Sequence, residues 1–242
     1  MSPSNDLRAV FLDIDDTMFT TTAFVKIARE KAMQAMIDRG LDIPLERAME
    51  ELAAVVAEFG SNDDRHYNRL IRRLPKKITG KVNESLLVTA GVIAYHETKW
   101  KQLRISDDAV SLLQDMSASG LRLGVISAGL LHKQMEKILR LRMDDFVDPN
   151  LIFITDQVGI AKSNPKLYRM AVRAAGIKPE QAMHVGDHPI SDIQTAKQAG
   201  MIATWHIGPG KYAHLQSSIP ADHEIDSLAD LRPLLRDHYG VL

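Results

Sequence analysis

Apolar and polar positions change their period along this chain. Residues 8–12 carry a short apolar run, "AVFL" after Arg8, which predicts a buried strand. From about residue 22 to 103 the apolar positions recur at helical spacing. "TTAFVKIAREKAMQAMIDRG" sets Phe24, Ala28, Ala32 and Met36 four apart and stops at Gly40. "PLERAMEELAAVVAEFG" opens on Pro44, a good first helical residue, and closes at Gly60. Two further helices are predicted over 63–74 and 83–103.

From Ser106 onward short apolar runs alternate with helical stretches. "SDDAVSLLQDMSASG" predicts a helix with Ser106 as N-cap. "LRLGVIS", "LIFIT", "AMHVG" and "MIATWHI" predict strands. "GLLHKQMEKILRLR", "NPKLYRMAVRAAG", "ISDIQTAKQAG" and "SLADLRPLLRDH" predict the helices between and after them. Continuous apolar strands alternating with helices imply a parallel sheet covered on both faces. The expected fold is therefore α/β, a doubly wound parallel sheet with an inserted all-helical cap. Its core domain is expected over 1–17 and 104–242 and the helical cap domain over 18–103. Met33, Met36 and Met49 are expected in the cap's own core.

Composition narrows the functional classes. The chain has 242 residues, with 30 basic against 31 acidic side chains, so neither a nucleic-acid surface nor a polybasic membrane anchor is expected. It has no cysteine, which removes thiol catalysis and thiolate metal sites. No apolar window approaches 18 residues, and "MSPSNDLRAVFLD" does not read as a secretory leader. The expected location is the cytoplasm, as a monomer or homodimer.

Open α/β sheets bind ligands beyond the carboxyl ends of their strands. The loops to search follow Leu12, Ile126, Ile154 and Val185. They carry Asp13, Asp15, Asp16 and Thr17; Ser127, Ala128 and Gly129; Lys162 and Lys166; and Asp187 and Asp192. Asp13, Asp15 and Asp187 brought together would repel by about 4 kcal/mol per pair at 4 Å and an effective dielectric of about 20. A cation is required, and hard oxygen ligands at a hydrated site suit Mg²⁺. Such an ion presents a positive face to phosphate. Ser127, loop N–H groups such as that of Ala128, and a lysine could hold the other phosphate oxygens. One aspartate can then act as nucleophile and a second as general acid–base, and Asp13 and Asp15 can divide those roles.

"DIDDT", "VISAG", "K…NP" and "GDHPISD", in this order and interval, resemble the four motifs of the haloacid dehalogenase superfamily, in the subfamily with a helical cap. The resemblance covers residues 9 to about 206. It implies that Asp13 is the nucleophile and Asp15 the acid–base. The Asp15 carbonyl and the side chains of Asp13 and Asp187 would bind Mg²⁺, with Asp192 holding a metal-bound water or orienting the site. Ser127 would bind the transferring phosphoryl group. The third motif departs from the family pattern, since Ser163 stands where a proline is common. The register set by Pro165 and Tyr168 makes Lys162 the family lysine, with Lys166 as the alternative. "GVIAYHETKW" and "KIARE" further resemble archaeal cap-bearing members described as magnesium-dependent or glyceraldehyde 3-phosphate phosphatases.

The function implied is a Mg²⁺-dependent phosphatase acting on a small phosphorylated metabolite through an aspartyl-phosphate. The alternatives are a phosphomutase using the same intermediate and a non-catalytic phosphate-binding regulatory module. A dehalogenase is disfavoured by Asp15, and a phosphonate-cleaving enzyme would need a cap lysine such as Lys26 or Lys31. Asp16 and Thr17 read as turn residues. His184, His188 and His206 have no zinc-like spacing. "GPGKY" at 208–212 lacks the spacing of a phosphate-binding P-loop and reads as a loop.

Overall fold

The computed structural model describes residues 6–80, 82–208, 211–212 and 214–242. Pro209 and Gly210 of "GPGKY" thus lie outside the described residues. The chain divides into two compact units, one of residues 1–20 and 104–242 and the other of residues 21–103.

The first unit is built on a six-stranded sheet in the order β3-β2-β1-β4-β5-β6, with every pairing parallel. The strands are β1 (Ala9–Leu12), β2 (Arg122–Ser127), β3 (Ile152–Ile154), β4 (Ala182–Gly186), β5 (Ile202–His206) and β6 (His223–Ile225). Every residue of β1 and β4 is buried, which explains why these strands read as unbroken apolar runs. Helices α6 (Asp107–Ala118), α7 (Leu131–Arg140), α9 (Pro165–Ala174) and α11 (Leu231–Tyr239) connect and close the unit. Their starts follow local chemistry. Ser106 Oγ accepts the Ala109 N–H at 3.2 Å, and Asn164 Oδ1 accepts the Lys166 N–H at 3.0 Å ahead of Pro165. Phe11, Phe153, Leu167, Tyr168 and Ile193 pack in one cluster of this unit's core.

The second unit is all helical among its described residues. It comprises α1 (Thr21–Ile37), α2 (Leu45–Phe59), α3 (His66–Arg73), α4 (Lys76–Thr79) and α5 (Glu84–Gln102). It has its own core of Met33, Met36, Leu52, Leu70 and Leu87, with Met49 half-buried against it.

Two predicted helices are corrected, and two elements were not predicted. The helix predicted over 63–74 begins only at His66 and stops at Arg73. Leu74 precedes a proline and is extended, and Pro75 starts the separate α4. The single helix predicted from "ISDIQTAKQAG" opens as a π-helix, Pro189–Gln194, and becomes α-helical only at α10 (Thr195–Gln198). π turns of this kind are often found at functional sites. Strand β6 was not predicted: "HEI" is three residues long and polar at two of them. One turn of helix, α8 (Thr155–Val158), also forms inside the loop expected after β3.

Candidate active site

The chain leaves β3 and crosses back to β4, on the other side of β1, so β1 and β4 flank the point where the strand order reverses. This is where such sheets open a crevice. Leu12 lies level with Val185, and the Asp13 N–H donates to the Val185 carbonyl at 2.9 Å. The register therefore delivers Asp13 and Asp187 to one edge from adjacent strands. Ser127 is the last residue of β2, and Lys162 precedes α9.

Asp13, Asp187 and Asp192 are all buried, and one oxygen from each lies within 4.8 Å of the others. Lys162 is buried among them, with Nζ at 2.6 Å from Asp13 Oδ1 and 2.5 Å from Asp192 Oδ1. Lys166 is exposed on α9, so the register that selected Lys162 is the one that reaches the acids. Burial pushes the Asp13 carboxyl up to about 6 against the pull of Lys162. Burial, and then the charges of Asp13 and Asp192, push Asp187 up to about 8. Burial would raise Asp192 too, but Lys162 and His184 outweigh it and hold its carboxyl well below the usual range.

Asp192 is saturated by the protein. Its Oδ1 also accepts from His184 Nε2 at 3.1 Å and the Tyr168 hydroxyl at 3.3 Å, and its Oδ2 accepts the His188 N–H at 3.0 Å. His184 is fully buried, and burial lowers its pKa, so its ring is neutral with the proton on Nε2. Gly186 makes room for this arrangement: a Cβ there would lie 2.5 Å from Asp192 Cγ.

Asp187 differs, because its buried Oδ2 has no hydrogen-bond partner among the described residues. The same holds for Ser127 Oγ and Thr17 Oγ1. Buried polar atoms are normally satisfied, and Asp187 and Ser127 stand at the carboxyl ends of β4 and β2, so their orphaned oxygens point to missing partners there. Thr17 therefore does not make the turn hydrogen bond expected of it. Charge says the same. Fully ionised, three carboxylates sharing one lysine carry two excess negative charges, and an all-oxygen donor set of that charge fits a divalent cation.

The other two aspartates of "DIDDT" have lysines of their own. Asp15 pairs with Lys137 of α7, at 2.6 Å, and Asp16 pairs with Lys211, at 2.9 Å. Asp16 has φ 56°, the backbone of a turn residue as expected, yet its carboxylate is buried in an ion pair that the sequence did not reveal. His188 is half-buried, its ring 4.2 Å from that of Tyr212, and His206, the last residue of β5, is buried. Lys137, Gln134, Lys211, Tyr168 and His184 were all missed as contributors. Gln134 and Lys137, three apart, share a helix face, but nothing in the sequence says that this face is turned toward Asp15.

The sequence model of the family described as haloacid dehalogenase-like hydrolase matches residues 7–200. A glyceraldehyde 3-phosphate phosphatase of Methanopyrus kandleri is 38% identical over 237 residues, covering 96% of this chain and 98% of its own. One from Pyrococcus furiosus is also 38% identical, covering 97% and 95%. Among solved structures, a HAD phosphatase from Thermococcus onnurineus superposes with a TM-score of 0.64 at 24% identity, covering 94% of this chain and 97% of its own, a likeness of fold. No helix among the described residues is long and apolar enough to cross a membrane.

Proposed function

Because the chain belongs to the haloacid dehalogenase-like hydrolases, we propose that it is a Mg²⁺-dependent phosphatase that hydrolyses a small phosphate monoester through an aspartyl-phosphate on Asp13. The observation that carries this reading is the buried group of Asp13, Asp187 and Asp192 sharing Lys162. Glyceraldehyde 3-phosphate is the first substrate to test, since the relatives named for it match nearly the full chain.

Asp13, Asp187 and the Asp15 carbonyl would hold the ion. Asp192 orients Lys162 and the π turn, and its four protein partners leave it a water-mediated role at most. When bound, Mg²⁺ neutralises the carboxylates and the phosphate and leaves phosphorus open to attack. Asp13 attacks phosphorus. Ser127 Oγ, the Ala128 N–H and Lys162 Nζ bind the phosphoryl oxygens as charge shifts onto them. Asp15 gives its proton to the departing alkoxide. It then takes a proton from the water that attacks the phosphorus, and the Asp13–phosphorus bond breaks.

The test is inorganic phosphate release from a panel of phosphate esters that includes glyceraldehyde 3-phosphate, with Mg²⁺ and with EDTA. Release that requires Mg²⁺ and disappears in Asp13→Asn supports the reading. Formation of an isomeric phosphate without release would assign a phosphomutase instead. Mg²⁺ binding with no turnover across the panel would assign a binding module.

A further inference from the structure

Helix α7 carries two buried polar side chains outside the motifs considered above. Gln134 is 4% exposed and Lys137 9% exposed. Lys137 Nζ donates to Asp15 Oδ1 at 2.7 Å and to Oδ2 at 2.6 Å. Gln134 Nε2 donates to Asp15 Oδ2 at 3.1 Å and to the Ala128 carbonyl at 2.9 Å. Lys137 also lies 3.4 Å from Gln134 Oε1. One helix face thus grips the Asp15 carboxylate and ties it to the loop after β2.

The surroundings are shaped for this contact. Gly129 has φ 140°, and a Cβ there would fall 2.6 Å from Gln134 Nε2, so the glycine leaves the amide its place. The Gly129 N–H donates to Thr155 Oγ1 at 3.0 Å, which anchors the same loop to α8. Burying an amide and an ammonium is costly and confers little stability over a well-packed apolar pair. Their geometry, by contrast, fixes which way a short, rotatable carboxylate points. Proton transfer at a reacting oxygen depends steeply on that direction.

We propose that Gln134 and Lys137 are positioning residues that fix the Asp15 carboxyl for proton transfer and couple its orientation to the phosphate-binding loop at Ala128. This rests on the reading of Asp15 as the acid–base. In the first step the Asp15 proton goes to the ester oxygen as the P–O bond breaks and the Asp13–P bond forms. In the second, Asp15 accepts a proton from water as the water O–P bond forms and the Asp13–P bond breaks. The clamp acts on Asp15 and, through Gln134, on the Ala128 carbonyl, and makes no bond to phosphorus or to the cation.

Esters that differ in their need for a proton separate this role from a structural one. An alkoxide leaves only if protonated, whereas p-nitrophenolate leaves without help. The experiment compares kcat/KM for glycerol 1-phosphate and p-nitrophenyl phosphate in Mg²⁺ for the wild type, Lys137→Met, Gln134→Leu, Lys137→Arg and Asp15→Asn. Lys137→Met and Gln134→Leu are expected to lose at least about ten-fold more on the glycerol ester than on the aryl ester, within the range of general acid catalysis. Lys137→Arg, which can donate to both oxygens, should restore most of the difference. Thermal midpoints check folding. If Lys137→Met does not fold, Gln134→Leu, which removes no charge, carries the comparison. Equal losses on both esters in the α7 variants, with Asp15→Asn still discriminating, would overturn the positioning role alone. An Asp15→Asn variant that does not discriminate would remove the acid–base reading, and the inference with it.

Discussion

Side by side in "DIDDT", the three aspartates meet different environments, and each is matched by its own lysine. Asp13 is held by Lys162, Asp15 by Lys137 and Asp16 by Lys211. Only around Asp13 does negative charge exceed positive, because Asp187 and Asp192 join it. That imbalance gives Lys162 and Asp187 opposite roles in the metal-free protein. Lys162→Met strands three buried carboxylates and should cost about 3–5 kcal/mol, read from chemical denaturation in EDTA. Burial and its acidic neighbours hold the Asp187 carboxyl up at about 8, so without metal it is an uncompensated charge only above that pH. Asp187→Asn should therefore raise the thermal midpoint in EDTA above about pH 8, leave it nearly unchanged at about pH 7, and abolish the further rise that Mg²⁺ gives the wild type. Ser127→Ala separates binding from stability in another way. Its Oγ has no partner among the described residues, so the midpoint should hardly move, while phosphatase kcat/KM falls by about 10²-fold, the scale of losing one donor to transition-state charge. Asp13, Asp187 and Ser127 were legible in the sequence because each ends or follows an apolar strand. Lys137 was not, because "HKQMEKILR" reads as a solvated helix surface until the fold turns one side of it toward Asp15.

Elements were legible where one physical signal dominated. Strands β1, β2 and β4 are buried apolar runs, and α9 is announced by its Asn164 cap and Pro165. The π turn was not legible, because its cause is tertiary. The Asp192 carboxylate accepts the His188 N–H while held from below by Lys162, His184 and Tyr168. Edge strand β6 was hidden by its length, and its pairing depends on partners distant in sequence. His223 of β6 meets the Tyr239 hydroxyl of α11 at 2.6 Å, and the Tyr239 pKa is pushed up to about 12, mainly by burial, so Tyr239 keeps its proton to donate. Burial, and then His238, lower the His223 pKa below its usual 6.5. The unfolded chain therefore binds a proton that the folded one refuses. The stability that the neutral ring contributes is present above about pH 6.5 and is lost as pH falls through the lowered folded value. Thermal midpoints between pH 7.5 and 5.5 should fall further for the wild type than for His223→Gln. An equal fall in both would remove His223 as a source of acid sensitivity.

For the molecule as a whole, the sheet order brings residues from four segments, at or beyond the ends of β1, β2, β3 and β4 and spread from Asp13 to Asp192, to one edge, although sequence alone could show only that each lies at or beyond the end of a strand. The helical unit interrupts the sheet unit between β1 and α6 and closes its own core around Met33 and Met36. That the insertion is helical was legible from its period. The measurement that bears most directly on the proposed activity is phosphate release from glyceraldehyde 3-phosphate and the ester panel by the intact chain, with Mg²⁺ and with EDTA, beside Asp13→Asn. Release that depends on Mg²⁺ and vanishes in a folded Asp13→Asn is expected. Release that persists in EDTA, or undiminished in Asp13→Asn, would contradict a metal-dependent aspartyl-phosphate mechanism.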